Sequence, residues 1–106
     1  MPNTYLVSRR QAAIDWIKKQ VEVDKVISHL DIASIEPNDT VIGTLPIHVA
    51  AQVCAPKAHY IHLSIDAPPE WRGKELNTAD FEQCSPKLER FNVNKERSFN
   101  EFEQKI

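Results

Sequence analysis

Hydrophobic residues follow two alternating patterns along the chain. Short runs rich in β-branched residues, such as 25–30 and 40–45, predict strands. Apolar residues three and four positions apart between these runs predict helices. The pattern predicts strands at 5–7, 25–30, 40–45, 59–65 and, at a sheet edge, 87–93, with helices at 11–21, 47–54 and 77–84 and a helical turn at 32–35.

Two of the predicted helices have an apolar face at helical spacing. Pro56 follows the second helix, and Asn77 is suited to cap the third. We expect each apolar face to be buried against a sheet. The faces consist of Ala13, Ile14, Ile17 and Val21 in the first helix and of Ile47, Ala50, Ala51 and Cys54 in the second.

Strands that alternate with helices through short loops are typical of βαβ units, which form a mainly parallel sheet covered by helices. The sequence therefore predicts one domain with a small Rossmann-like α/β fold over residues 1–93, followed by a polar C-terminal tail at 94–106. Ligands of such sheets bind outside the carboxyl ends of the strands. Candidate functional residues are therefore those that follow each apolar run.

The composition is that of a compact globular domain, and it limits the classes of function. Of the 106 residues, 42% are hydrophobic and 26% are charged, and the formal net charge is -2. This balance argues against a protein that coats DNA or RNA through a basic face, whereas a small anionic ligand needs only local arginines and backbone amides. No apolar run reaches the about 20 residues of a membrane-spanning helix, so no membrane role is expected.

The two cysteines, Cys54 and Cys84, follow no disulfide pattern, and the N-terminus lacks the apolar core of a signal peptide, which predicts a cytoplasmic protein. His59 and His62 fall on opposite faces of a predicted strand, so we expect no metal site. We interpret His29 and His62 as polar residues of a sheet surface or an interface. The chain has no dinucleotide, Walker or Gly-x-Ser-x-Gly motif, and no cofactor is expected.

One of the two glycines, Gly43, ends the third predicted strand just ahead of the second helix. A glycine at a strand-to-helix turn lets a phosphate approach the backbone amides, and Thr44 can cap the helix. His48 then lies in the first turn, where the helix dipole favours a neutral imidazole that accepts a proton. The same residues also fit a capped helix with no ligand.

Ser8, Arg9 and Arg10 follow the first predicted strand. Two adjacent arginines at a helix start have the fork geometry that binds phosphate oxygens. Ser8 with Gln11 matches a capping box, so helix capping alone also explains the serine. Anion binding and solvated surface charge both remain open for the two arginines.

Four stretches of the chain resemble one family of proteins: YLVSRRQAAIDW, HLD, DTVIGTLPIHVAAQVC and YIHLSIDAPPEWRGKEL. This is the small CRISPR-associated accessory family of type III systems, whose members are ring nucleases, and the resemblance covers residues 5–90. It implies a fold akin to CARF domains that works as a homodimer on cyclic tetra-adenylate. The implied chemistry needs no metal: a ribose 2′-hydroxyl attacks the adjacent phosphodiester and leaves a 2′,3′-cyclic phosphate, and breaking the ring ends antiviral signalling.

The resemblance also implies roles for particular residues. The implied catalytic residues are His48, Ser8 and Arg9, and the implied ligand-binding residues are Arg10, Gly43, Thr44, Ser64, Asp66 and Arg72. Two other hypotheses account for the same residues. One is a non-catalytic module that binds the cyclic oligonucleotide, and the other is a structural α/β adaptor in which Ser8 and Thr44 are only caps and both arginines are solvated.

Overall fold

A computed structural model describes residues 1–99, and residues 100–106 of the predicted polar tail lie outside them. Every predicted strand and helix is present in the described part, with ends that differ by no more than three residues. The described strands are β1 Thr4–Val7, β2 Lys25–Ile27, β3 Thr40–Gly43, β4 His59–Ser64 and β5 Lys87–Phe91, and the described helices are α1 Gln11–Gln20, α2 Ile47–Cys54 and α3 Thr78–Gln83. The 3-10 turns are Ile32–Ser34, which was predicted, and Pro69–Trp71, which was not.

The strands form one sheet in the order β2-β1-β3-β4-β5. The first four strands are mutually parallel, and β5 runs antiparallel to β4 at the edge. This topology confirms the predicted single α/β domain with a small Rossmann-like, mainly parallel sheet. The carboxyl ends of β1, β3 and β4 therefore lie together at one end of the sheet.

Helices cover both faces of the sheet, as the alternation of buried residues requires. Leu6 and Ile42 pair in the register and pack against Ile17 of α1 on one face. Val41 points to the other face and packs with Val53 of α2. Both strand faces are therefore apolar, which is why the β1 and β3 sequences read as continuous hydrophobic runs.

The second strand is shorter than predicted and ends at Ile27 rather than residue 30. The last backbone bond between β1 and β2 runs from the Ser8 N–H to the Ile27 carbonyl, at 3.0 Å. Beyond this point the chain that would pair with β2 turns into α1. The part of the predicted strand beyond Ile27 therefore has no neighbouring strand to pair with, and strand propensity alone does not extend β2.

The predicted apolar face of α2 is confirmed at Ala50 and in part at Cys54, which packs against the buried cluster, but it is wrong at Ile47 and omits Val53. Its buried residues are Ala50 and Val53, whereas Ile47 is 77% exposed. The face that contacts the sheet is centred between positions 50 and 53, so Ile47 lies at its border. In α1 the buried residues are Ala12, Ala13 and Ile17, so the predicted face is confirmed there only at its centre.

The aspartate that begins the third strand region, Asp39, is only 2% exposed. Its Oδ1 accepts the backbone N–H of Asn3 at 2.8 Å, and its Oδ2 accepts that of Glu36 at 3.0 Å. Its backbone carbonyl accepts the N–H of His59 at 2.7 Å. Asp39 thus joins the starts of β1, β3 and β4 at the end of the sheet opposite their carboxyl ends.

Candidate functional site

A cavity of about 670 Å³ lies at the carboxyl ends of β1, β3 and β4. The strand ends and the residues after them supply most of its wall, and α1 and α3 close it on one side through Ala13 and Phe81. Its glycine and polar lining residues are Ser8, Arg9, Arg10, Ser28, Gly43, Thr44, His62 and Ser64.

The charge of the cavity wall is positive, in contrast to the net charge of -2 of the whole chain. Arg9 and Arg10 are both exposed and both line the cavity. No aspartate or glutamate among residues 1–99 lines it, and neither guanidinium is paired with a carboxylate in the described chain. Two arginines with the hydroxyl groups of Ser8, Ser28 and Ser64 form a wall whose hydrogen-bond donors fit an anion.

Six of the nine predicted site residues meet in this cavity, and they come from three strand ends. Asp66 and Arg72 line an adjoining depression of about 430 Å³, and Arg10 belongs to both. His48 is exposed and lines neither space. The six that meet are Ser8, Arg9, Arg10, Gly43, Thr44 and Ser64.

The capping box predicted at the start of α1 is wrong. The helix begins at Gln11, its N-cap residue is Arg10, and no side chain caps it. Ser8 Oγ instead accepts the backbone N–H of Arg10 at 3.1 Å, which is a local turn contact before the helix. Ser8 therefore shapes the turn that carries both arginines, and the first turn of α1 has no side-chain partner for its N–H groups.

The cap predicted at the start of α2 is also wrong. Pro46 occupies the N-cap position of this helix, with no side-chain hydrogen bond. The Thr44 hydroxyl instead donates to the carbonyl of Leu63 at 2.7 Å. Thr44 therefore fastens the loop after β3 to the neighbouring strand β4 and keeps the cavity wall closed between them.

The packing of the sheet explains why position 43 is a glycine, which the sequence alone did not reveal. A Cβ atom built at this position would lie 3.0 Å from the carbonyl oxygen of Val7 and 3.5 Å from its Cβ. Gly43 pairs with His62 in the register, so a side chain here would also stand between Val7 and His62 on the same face. The glycine thus permits close packing of β1 on β3 and leaves the cavity open beside His62.

We expect Gly43→Ala to lower the free energy of unfolding by about 1–3 kcal/mol, because the added methyl group meets a backbone carbonyl that has little room to move. Gly73→Ala is the matched comparison: its added Cβ meets no atom within 4 Å, although its φ of +80° adds backbone strain. Urea denaturation of both variants measures how far each one lowers the free energy of unfolding. A Gly43→Ala variant as stable as the parent would show that β1 and β3 separate easily at this point.

His62 is a cavity residue that the sequence interpretation missed. The Tyr60 hydroxyl oxygen lies 2.6 Å from His62 Nδ1, 2.9 Å from the Leu45 nitrogen, whose N–H it accepts, and 3.2 Å from the Gly43 carbonyl. The Phe91 ring packs edge-on against the imidazole at a centroid distance of 5.9 Å. A signal was present, because His62 alternates with Ser64, a predicted site residue on the same strand face.

The hydroxyl of Tyr60 is buried, with the residue only 2% exposed. Burial raises the pKa of Tyr60 above its ordinary value, the Leu45 N–H partly offsets this, and the nearby Cys54 adds to the increase. Tyr60 therefore keeps its proton at neutral pH. Its hydroxyl can therefore both donate and accept hydrogen bonds.

Groups that hold metals have a recognisable geometry, namely several nitrogen, sulfur or carboxylate ligands around one point. Within residues 1–99, no three His, Cys, Asp or Glu side chains lie close enough together to form such a group. In the same part of the chain, no helix is long and apolar enough to cross a membrane.

The fold and the cavity define a small Rossmann-like α/β protein with a basic cleft at the carboxyl ends of its parallel strands. A family model described as "Putative CRISPR-associated protein (Cas_VVA1548)" matches residues 5–94. The match spans most of the chain, and the chain belongs to this CRISPR-associated family. No curated protein and no solved structure matches it.

Proposed function

We propose that the chain is a metal-independent ring nuclease of a type III CRISPR system that cleaves cyclic tetra-adenylate and so ends antiviral signalling. The observation that carries the proposal is the composition of the cavity wall. Within residues 1–99 it has two arginines with no carboxylate partner, three serine hydroxyl groups and a histidine, and no carboxylate lines it. Such a wall attracts a phosphodiester and repels no part of it. Membership of a CRISPR-associated family and the resemblance of residues 5–90 to ring nucleases supply the ligand class.

The proposed reaction uses a nucleophile of the substrate itself. The ribose 2′-oxygen forms a bond to the adjacent phosphorus, the bond from phosphorus to the 5′-oxygen breaks, and a 2′,3′-cyclic phosphate remains. Negative charge accumulates on the non-bridging oxygens as the 2′-oxygen attacks. The protein's task is therefore alignment of the three reacting atoms and stabilisation of that charge.

Within this proposal, Arg9 and Arg10 bind the non-bridging oxygens of the phosphate. Ser8 holds the turn that carries them, and its oxygen accepts the Arg10 N–H. Gly43 and Thr44 form the wall on the β3 side, where the Thr44 hydroxyl is already committed to Leu63. This commitment assigns Thr44 to loop position rather than to hydroxyl donation toward phosphate.

The adjoining depression provides a place for adenine or ribose. Ser64 lines the main cavity, Asp66 and Arg72 line the depression, and Trp71 adds an aromatic surface there. Arg10 borders both spaces, so one guanidinium can contact a phosphate whose nucleoside lies in the depression. We propose Ser64, Asp66 and Arg72 as the groups that orient this nucleoside.

We also propose that the chain works as a C2 homodimer. A ring of four phosphates has two-fold symmetry and is wider than one strand-end cavity, so two identical cavities across an axis match it. Measurement of the molar mass in solution tests the dimer. A strictly monomeric protein that stays fully active at nanomolar concentration would contradict it.

A non-catalytic module that binds and sequesters the ring is the second candidate. The exposed position of His48, outside the cavity, favours it, because the acid or base that the sequence predicts does not line the binding space.

One assay separates the candidates: purified protein is mixed with cyclic tetra-adenylate in EDTA, and the products are resolved by chromatography. We expect linear products with 2′,3′-cyclic phosphate ends. Binding without products would support sequestration. The absence of both binding and cleavage would support an adaptor.

A further inference from the structure

We infer that His62 is a catalytic residue whose Nε2 takes the proton of the attacking 2′-hydroxyl, and that Tyr60 is the positioning residue that fixes its tautomer. This inference rests on the proposed ring-nuclease function and names the base for it. It is carried by the hydrogen-bond arrangement around the Tyr60 hydroxyl and by the place of His62 in the cavity wall.

The Tyr60 hydroxyl has three polar neighbours but only one proton. The N–H of Leu45 occupies one acceptor position of the oxygen. The Gly43 carbonyl oxygen, at 3.2 Å, has no proton and can only accept. If Tyr60 donates to Gly43, its second acceptor position is left for His62 Nδ1, at 2.6 Å. All three contacts are then hydrogen bonds at once, which requires a proton on His62 Nδ1.

The opposite arrangement satisfies fewer groups. If the Tyr60 hydroxyl donates to His62 Nδ1, it has no proton left for the buried Gly43 carbonyl, and the contact between the two oxygens is not a hydrogen bond. Buried carbonyl groups that lose a donor raise the free energy of the folded state. The arrangement with the proton on Nδ1 is therefore the favoured one, and Nε2 then carries the lone pair of the neutral ring.

The remaining nitrogen of His62 has no partner in the described part of the chain. Among the described residues, no hydrogen bond to His62 Nε2 is found, and His62 is a lining residue of the cavity next to Gly43, which has no side chain to cover it. Phe91 packs against the ring and restricts its rotation. Arg9 and Arg10 line the same cavity, so a phosphate bound to them stands over the same space as the base.

The proposed step balances in atoms and charge. Nε2 takes the 2′-hydroxyl proton as the bond from the 2′-oxygen to phosphorus forms. The bond from phosphorus to the 5′-oxygen breaks, the electron pair stays on that oxygen, and it takes a proton from solvent water. The resulting hydroxide is neutralised by the proton of the imidazolium.

The experiment compares single-turnover cleavage of cyclic tetra-adenylate in EDTA by the parent, His62→Ala and His59→Ala. His59 is the matched control because it lies at the other end of β4, where its Nδ1 contacts Arg90. We expect His62→Ala to slow cleavage by about 10²-fold to 10⁴-fold and His59→Ala to leave it unchanged. Binding of a ring whose riboses are 2′-deoxy, which lacks the nucleophile, is expected to survive in both variants.

A second measurement does not depend on cleavage. Nitrogen-proton correlation spectra of the imidazole rings are expected to show neutral His62 with its proton on Nδ1, and a shift of that proton toward Nε2 in Tyr60→Phe. A merely structural role of Tyr60 would lower stability without moving this proton. Tyr60→Phe is also expected to slow cleavage, by less than His62→Ala does.

The outcomes that overturn the inference differ from those that overturn the function. Cleavage at the parental rate by His62→Ala removes His62 from catalysis and leaves the ring-nuclease function standing. His62 is likewise removed from catalysis if His48→Ala stops cleavage and His62→Ala does not. That result would place proton transfer at the first turn of α2. A proton on Nε2 in the neutral parent overturns the role of Tyr60. A parent that never cleaves the ring overturns the proposed function itself and the catalytic role with it.

Discussion

The Arg9→Ala/Arg10→Ala double variant is expected to bind the 2′-deoxy form of cyclic tetra-adenylate about 10²-fold to 10⁴-fold more weakly than the parent chain. Each guanidinium that binds a phosphate contributes roughly 1.5–3 kcal/mol through charge-assisted hydrogen bonds, and about 1.4 kcal/mol corresponds to a tenfold change in affinity. Both side chains are exposed, so screening by water places the effect toward the lower end of the range. Isothermal titration at low ionic strength measures the affinity.

The matched control for this prediction is Lys18→Ala/Lys19→Ala. It removes the same charge from the opposite end of the same helix, where both lysines are exposed in the last turn of α1. We expect it to change affinity little, and we expect the difference between the two double variants to shrink as salt is added. Equal affinities for the parent and the arginine variant would assign Arg9 and Arg10 to solvated surface charge.

The second large effect concerns stability. We expect Asp39→Ala to lower the free energy of unfolding by about 2–5 kcal/mol, because two backbone N–H groups, those of Asn3 and Glu36, lose a carboxylate acceptor at a site that is shielded from water. The starts of β1 and β3 are then joined by fewer bonds. Urea denaturation followed by circular dichroism measures the change.

Asp31→Ala is the matched control for Asp39→Ala. Asp31 also accepts a backbone N–H, that of Ala33 at 3.1 Å, but it is exposed and water can replace its oxygen. We expect this variant to lose less stability, about 0.5–2 kcal/mol. If Asp39→Ala proved no less stable than Asp31→Ala, the buried carboxylate would not be what holds the strand starts together.

The arrangement of strands and helices was largely predictable, because the apolar runs and helical spacings are local properties of the sequence. The end of β2 at Ile27 was not, because it depends on where the neighbouring strand β1 turns away. The exposure of Ile47 depends in the same way on how α2 sits on the sheet. Elements are thus set by local pattern, and their ends and faces by partners distant in sequence.

The candidate site was predictable in part. The rule that ligands bind at the carboxyl ends of parallel strands located six residues that meet in the cavity. The caps predicted for Ser8 and Thr44 were wrong, because their hydroxyl groups bond to the turn and to the neighbouring strand, respectively. His62 was missed because its role depends on a hydroxyl two residues away and on a glycine in the adjacent strand, which only the register brings together.

The strand order also decides what a nascent chain can pair with as it leaves the ribosome. β1 precedes β2 and β3 in the sequence but lies between them in the sheet, so its two edges are paired only after β2 and then β3 have emerged. The strand ends of the cavity have all emerged once Ser64 is released, whereas β5 is made last and only covers the outer edge of β4. Until then β4 offers an unpaired edge of the kind that recruits other chains into aggregates. Pairing of Lys87–Phe91 with β4 therefore covers this edge in the folded domain.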